Sequence, residues 1–134
     1  MKKLVSYLAV ALLFVSVASC EKDKGLLPNI AFITTDGYTY QDGAVSVGSD
    51  LKAGITASKA EDKDVLTKFT VTRSVNGGAE EEVLSEDLTG EDGNSFSADV
   101  NFTTGSTPGT EKYTFTVVNR DGLINNVSFT LTVN

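Results

Sequence analysis

Beyond residue 20 the sequence predicts an all-β fold, a two-sheet antiparallel β-sandwich of about seven or eight short strands. Three observations carry this expectation. Apolar and polar residues alternate with period two through most of the chain. Pairs such as Asp36-Gly37, Asn76-Gly77 and Asp121-Gly122 punctuate the alternating runs, and these residue types tolerate positive φ or preset a turn. No long stretch after Cys20 carries a helical apolar period.

The strands follow in order. Ile30 to Thr34 is a short apolar run, and Ala44-Val45-Ser46-Val47 follows a polar, glycine-containing stretch. Leu51, Ala53, Ile55 and Ala57 alternate with Lys52, Gly54, Thr56 and Ser58. In the run Val65 to Val75, Phe69 and Val71 share one face, with Lys68, Thr70 and Thr72 on the other. Phe96, Ala98, Val100 and Phe102 form the next inward set, then Tyr113, Phe115 and Val117, then Val127, Phe129, Leu131 and Val133. Asn76-Gly77 and Asp121-Gly122 are the strongest hairpin signals, as two-residue turns of the primed types. Asp42-Gly43, Asp92-Gly93 and Pro108-Gly109 mark further turns.

The first twenty residues differ from the rest. Met1-Lys2-Lys3 is positive, Leu4 to Val17 is nearly unbroken apolar sequence, and Val17-Ala18-Ser19 leads into Cys20, the only cysteine. The apolar stretch is shorter than the roughly 20 residues of a membrane-spanning helix and has the form of a secretory signal. Val17-Ala18-Ser19-Cys20 resembles the lipobox of bacterial lipoproteins. That resemblance implies cleavage before Cys20, a diacylglyceryl group on its thiol and acylation of the new amine. Stable membrane anchoring follows from two or more acyl chains. Glu21 and Asp23 partly match the acidic tract of Gram-negative surface lipoproteins, although a solvated tether has the same composition. The expected organisation is a signal peptide over 1–19, a lipidated tether over 20–28 and a β-sandwich over 29–134, at the outer membrane and surface-exposed if the tract is read outward.

Pro108-Gly109-Thr110-Glu111-Lys112-Tyr113-Thr114-Phe115-Thr116-Val117 resembles the E–F corner and strand F of fibronectin type III and immunoglobulin-like (Ig-like) domains. The resemblance implies an Ig-like sandwich with the Tyr113 hydroxyl bonded back to the corner backbone. It places Phe115 where antibody domains carry a cysteine, and Phe69 or Val71 in the strand C core slot. Tyr113 to Val133 resembles the closing hairpin of bacterial Ig-like domains.

Charge and chemistry narrow the function. The chain has 18 acidic residues, 11 basic residues and no histidine, for a net charge of −7. An acidic balance disfavours nucleic acid, and imidazole-based catalysis and imidazole zinc ligation are excluded. No Gly-x-Ser-x-Gly elbow occurs. Glu80, Glu81, Glu82, Glu86, Asp87, Glu91 and Asp92 include pairs that a glycosidase would need, but a charge run beside turns reads first as a solvated face. Asp62/Asp64 and Asp92/Asn94 place oxygens at alternate positions suited to calcium, against the commoner use of such residues to bond their own turn backbone. The expectation is therefore no enzyme, no cofactor and no metal.

Tyr38 and Tyr40 are the candidate ligand contacts. Spaced i, i+2 between the first two runs, they point to one side if extended and present rings to a sugar. The competing reading packs them over the sandwich edge with their hydroxyls in water. Two functions stay open: a tethered binding or adhesion module for a glycan or envelope protein, or a structural accessory or spacer with no ligand of its own.

Overall fold

A computed structural model describes residues 25–134. The signal segment, Cys20 and the first part of the expected tether lie outside the described residues. Eight strands run in order: β1 (Asn29–Phe32), β2 (Gly43–Val45), β3 (Asp50–Ser58), β4 (Leu66–Val75), β5 (Glu81–Asp87), β6 (Ser95–Thr103), β7 (Gly109–Asn119) and β8 (Ile124–Val133), with a 3-10 turn at Gly90–Gly93 before β6. They form a three-stranded sheet, β1-β3-β6, and a five-stranded sheet, β2-β8-β7-β4-β5. This is the Ig-like sandwich that the sequence predicts.

Alternation builds the core. In β7, positions 111, 113, 115, 117 and 119 are buried and the intervening ones are not, the period-two signature of one buried face. Register then aligns the inward rows: Val71 lies opposite Phe115, and Phe115 opposite Val127. Aromatic rings join the two sheets. Phe32 meets Phe115 edge-on with centroids 5.3 Å apart, Phe69 meets Phe96 at 5.4 Å and Phe102 meets Tyr113 at 4.4 Å. Such pairs add to area burial.

Four local features depart from the sequence-based expectation. First, β2 pairs with β8 in parallel, so the sandwich is not wholly antiparallel. The stretch from β1 to β2 crosses from one sheet to the other, and a crossing strand meets its new neighbour in whichever direction it arrives. Second, the Glu81–Asp87 charge run is an edge strand. Only Leu84 in it is half-buried, so no alternation advertises it, and its carboxylates guard an open edge. Third, the β7–β8 connection is not a two-residue primed turn. Gly122 N–H donates to Asn119 O at 3.0 Å and only Gly122 there has positive φ, at 81°, as in a turn closed by a glycine bulge. The Asn76-Gly77 hairpin does have both central φ values positive, 52° and 71°, with Gly78 N–H on Val75 O at 2.9 Å. Fourth, the Tyr113 hydroxyl reaches a side chain first, donating to Glu111 Oε1 at 2.7 Å. Glu111 Oε2 in turn accepts from Gly105 N–H at 2.9 Å, so the corner backbone is held through a carboxylate.

The chain runs in at one end of the sandwich. Asn119 Nδ2 donates to Leu26 O at 3.4 Å and Asn125 Nδ2 to Pro28 O at 2.9 Å. The same end carries the 59–65 loop and the β7–β8 turn. The opposite, distal end carries the 46–49, 76–80 and 104–108 loops.

Candidate functional site

The loop 33–40 returns to β3 after leaving β1. Ile33 N–H donates to Gly54 O at 2.8 Å and Thr39 N–H to Lys52 O at 2.7 Å, so the loop is pinned on both sides of Tyr38. That pinning lays the tyrosine over the outer face of the three-stranded sheet. Gly54 makes the room: a Cβ there would stand 2.5 Å from Tyr38 Cε1 and 2.8 Å from Ile33 Cδ1, closer than carbon atoms approach. No side chain other than hydrogen fits beneath the ring.

Tyr38 is engaged by its neighbours. Its hydroxyl donates to Asp99 Oδ1 at 2.9 Å, and Lys52 Nζ sits 4.4 Å from the ring centroid, a cation–π distance. The bond to Asp99 raises the hydroxyl above the ordinary tyrosine range, with desolvation adding to it. The hydroxyl therefore bonds a carboxylate, where the edge-packing reading left it in water. Tyr40 is half-buried further along the same segment.

Beside this tyrosine lies an open concavity of about 380 Å³. Thr39, Asp50, Lys52, Asn101 and Thr103 supply hydrogen-bonding groups, while Leu51 and Phe102 border the concavity with their side chains turned to the core. The sheet register explains the grouping, since Lys52 stands opposite Asn101 and Asp50 opposite Thr103. Thr103 Oγ1 donates to Asp50 Oδ1 at 2.6 Å. The concavity lies at the distal half of β6, away from the residues that hold Leu26 and Pro28. Sequence reasoning named Tyr38 but missed Lys52, Asp50 and Asn101. Their shared outward parity on β3 and β6 was the available signal.

No known family model matches the chain, and no curated protein matches it either. Solved structures do. A superoxide reductase (neelaredoxin) from Ignicoccus hospitalis superposes with a TM-score of 0.53 at 6% identity, covering 81% of each chain. A beta-glucosidase from Listeria innocua superposes with a TM-score of 0.51 at 10% identity, over 80% of this chain and 16% of that one. The likeness is one of fold. At such identities neither protein's activity transfers to this chain.

The other expected sites are placed as follows. The Asp64 carboxylate is buried: Oδ2 accepts from Asn119 Nδ2 at 2.6 Å and Oδ1 from Val65 N–H at 2.8 Å. It is turned into the fold, so the Asp62/Asp64 pair does not face a cation together. Asp92 and Asn94 belong to the 3-10 turn, where Asn94 N–H bonds Glu91 O at 3.0 Å. Among the described residues no cluster of three or more acidic, histidine or cysteine side chains is spaced for a metal. Glu81, Glu82, Glu86 and Asp87 lie exposed along β5, and Glu91 and Asp92 on the 3-10 turn. They line neither this concavity nor any shared cleft with one another.

Among the buried polar groups, Glu111 and Asn119 escaped the sequence reading and bear most on the fold. They are 3% and 2% exposed. Both share parity with Tyr113 and Phe115, a pattern that marks them as inward-facing. Arg73 shares parity with Phe69 and Val71 in the same way. Burial, then the bond to Glu111, pushes the Tyr113 hydroxyl up to about 12, partly offset by Arg73.

Proposed function

We propose that this chain is a lipid-tethered, non-catalytic Ig-like module that binds a glycan on the outer face of its three-stranded sheet. The observation that carries the reading is the distal concavity. It gathers acceptors (Asp50), donors (Lys52) and groups that do both (Asn101, Thr39) on one outer face. A few convergent donors and acceptors of this kind suit the hydroxyl groups of a sugar. Tyr38 acts by holding Lys52 and the 33–40 loop in place, and its engaged ring makes a poor free stacking platform.

The lipobox resemblance supplies the tether. Cys20 carries the acyl chains, and the chain then joins the sandwich at the end opposite the concavity. An outer-membrane anchor at Cys20 thus turns the binding face away from the lipid. A fatty-acid probe should label the wild type and leave Cys20→Ser unlabelled and absent from the membrane fraction. A variant that still labels and pellets removes the anchor.

A glycan array separates this reading from a spacer role. Wild-type retention by a set of sugars, lost in Lys52→Ala/Asn101→Ala and weakened in Tyr38→Ala, supports binding. Silence across the array, with co-purification of an envelope protein, supports the accessory role instead.

A further inference from the structure

The two long sides of the sandwich are built differently. On one side the β1–β2 stretch crosses between the sheets and closes the gap. On the other, β6 and β5 each end their sheet and flank a groove of about 430 Å³. Its walls are Val71, Val83, Leu84, Val100 and Phe102, with Tyr113 and Arg73 beside them. Val83 is 48% exposed, and Val100 and Phe102 are only half-buried although they face inward.

The two lips of the groove are chemically unlike. As the last strand of its sheet, β6 turns a row of backbone N–H and C=O groups away from β3 along Ser95–Thr103. Native edges are commonly guarded by lysine, proline or a covering loop. β6 contains no lysine, arginine or proline, and Asp99, its one charge, is bound to Tyr38. The β5 lip, in contrast, carries Glu81, Glu82, Glu86 and Asp87, all exposed. Arg73, the only cation lining the groove, already faces Glu81 at 3.7 Å. Its Nε is buried with no acceptor among the described residues.

We propose that the edge of β6 accepts an extended segment of a partner protein as an added strand, whose inward-facing positions carry both apolar side chains that fill the groove and a lysine or arginine that meets the β5 carboxylates. Strand addition gives the incoming backbone a ladder of hydrogen bonds, and period-two alternation gives it specificity. The acidic lip selects basic partners and repels acidic ones, including a second copy of this chain with its net charge of −7. This groove lies on the inner side of β6 and the sugar concavity on its outer face, the two meeting at Asn101, Phe102 and Thr103. The proposal rests on the strand edge and the acidic lip and does not depend on glycan binding.

The test uses the full chain in detergent micelles and a labelled decapeptide in which threonine alternates with an inward set of valines and lysines. Fluorescence anisotropy should show saturable binding, and amide NMR shifts should concentrate on β5 and β6. Methylating the peptide nitrogens along one edge should weaken binding about tenfold or more, a loss of roughly 1.4 kcal/mol. Glu82→Lys/Glu86→Lys should weaken it by a similar factor while leaving amide shifts outside β4 and β5 unchanged, which excludes misfolding as the cause. The same peptide with glutamate in place of each lysine should not bind. Equal binding by the methylated peptide would mean that lysines adsorb to the acidic lip without pairing, and overturns the proposal. Shifts confined to another face, or no binding at millimolar peptide, also overturn it.

Discussion

The two ends of the sandwich each bury a carboxylate, and each satisfies it with neutral donors. At the end where the chain runs in, Asp64 takes bonds from Asn119 and from the Val65 backbone. Asn119 also accepts from Leu123 N–H at 2.9 Å and donates to Leu26 O. Arg120 adds a guanidinium bond to Lys63 O. One network thereby ties three separate segments: the residues leading into β1, the β3–β4 loop and the β7–β8 turn. At the distal end Glu111 ties Tyr113 to the Gly105 backbone. There Thr104 Oγ1 accepts from Ser49 N–H and donates to Ser46 O, and Asn76 Oδ1 accepts from Thr110 N–H. The difference teaches that one end is stitched around the incoming chain by a single network, while the other is braced by separate smaller ties, each holding one or two loops.

Phe129 belongs to neither end and sets the scale. It is 1% exposed and packs among Phe32, Tyr113 and Phe115, so Phe129→Ala should cost about 3–5 kcal/mol in a denaturant melt. Asn119→Ala should come next, at about 2–4 kcal/mol, because it removes several bonds and leaves a buried carboxylate short of a donor. Tyr113→Phe removes one bond at the less stitched end and should cost about 1–2 kcal/mol. If Tyr113→Phe proved as costly as Asn119→Ala, the contrast between the ends would fail.

Alkali gives a second view of the distal brace. A tyrosine whose folded pKa of about 12 exceeds its unfolded value near 10 stabilises the fold fully below about pH 10. That contribution disappears as pH rises towards 12. Stability should therefore fall across this window, and the fall should be shallower in Tyr113→Phe. The smallest effect is expected at Thr130, on the outer face one residue from Phe129. Thr130→Ala should cost under about 1 kcal/mol, and a loss comparable to that of Phe129 would mean that both faces of β8 are buried.

How much the sequence disclosed follows from period two. Wherever a strand has one apolar and one polar face, as in β3, β6, β7 and β8, alternation located it to within a few residues. β5 was illegible because an edge strand with one inward leucine has no apolar row to read. The parallel β2–β8 pair was illegible for another reason: strand direction depends on how the chain crosses between sheets, which no local pattern encodes. In the candidate site, Tyr38 stood out as an aromatic outside the strand runs. Lys52, Asp50 and Asn101 looked like ordinary solvated positions, because pairing between strands about 50 residues apart in sequence is what gathers them. Glu111 and Asn119 broke the expectation that charged and amide residues face water, yet parity with Phe115 places them inside.

Hydrogen exchange on the full chain, with and without a glycan retained on the array, tests the proposed binding face most directly. New protection should appear at residues 37–39, 50–52 and 101–103, with Val65 and Leu123 at the stitched end unchanged. Protection centred on the stitched end, or spread evenly over both ends, would contradict the assignment of the distal face as the ligand site.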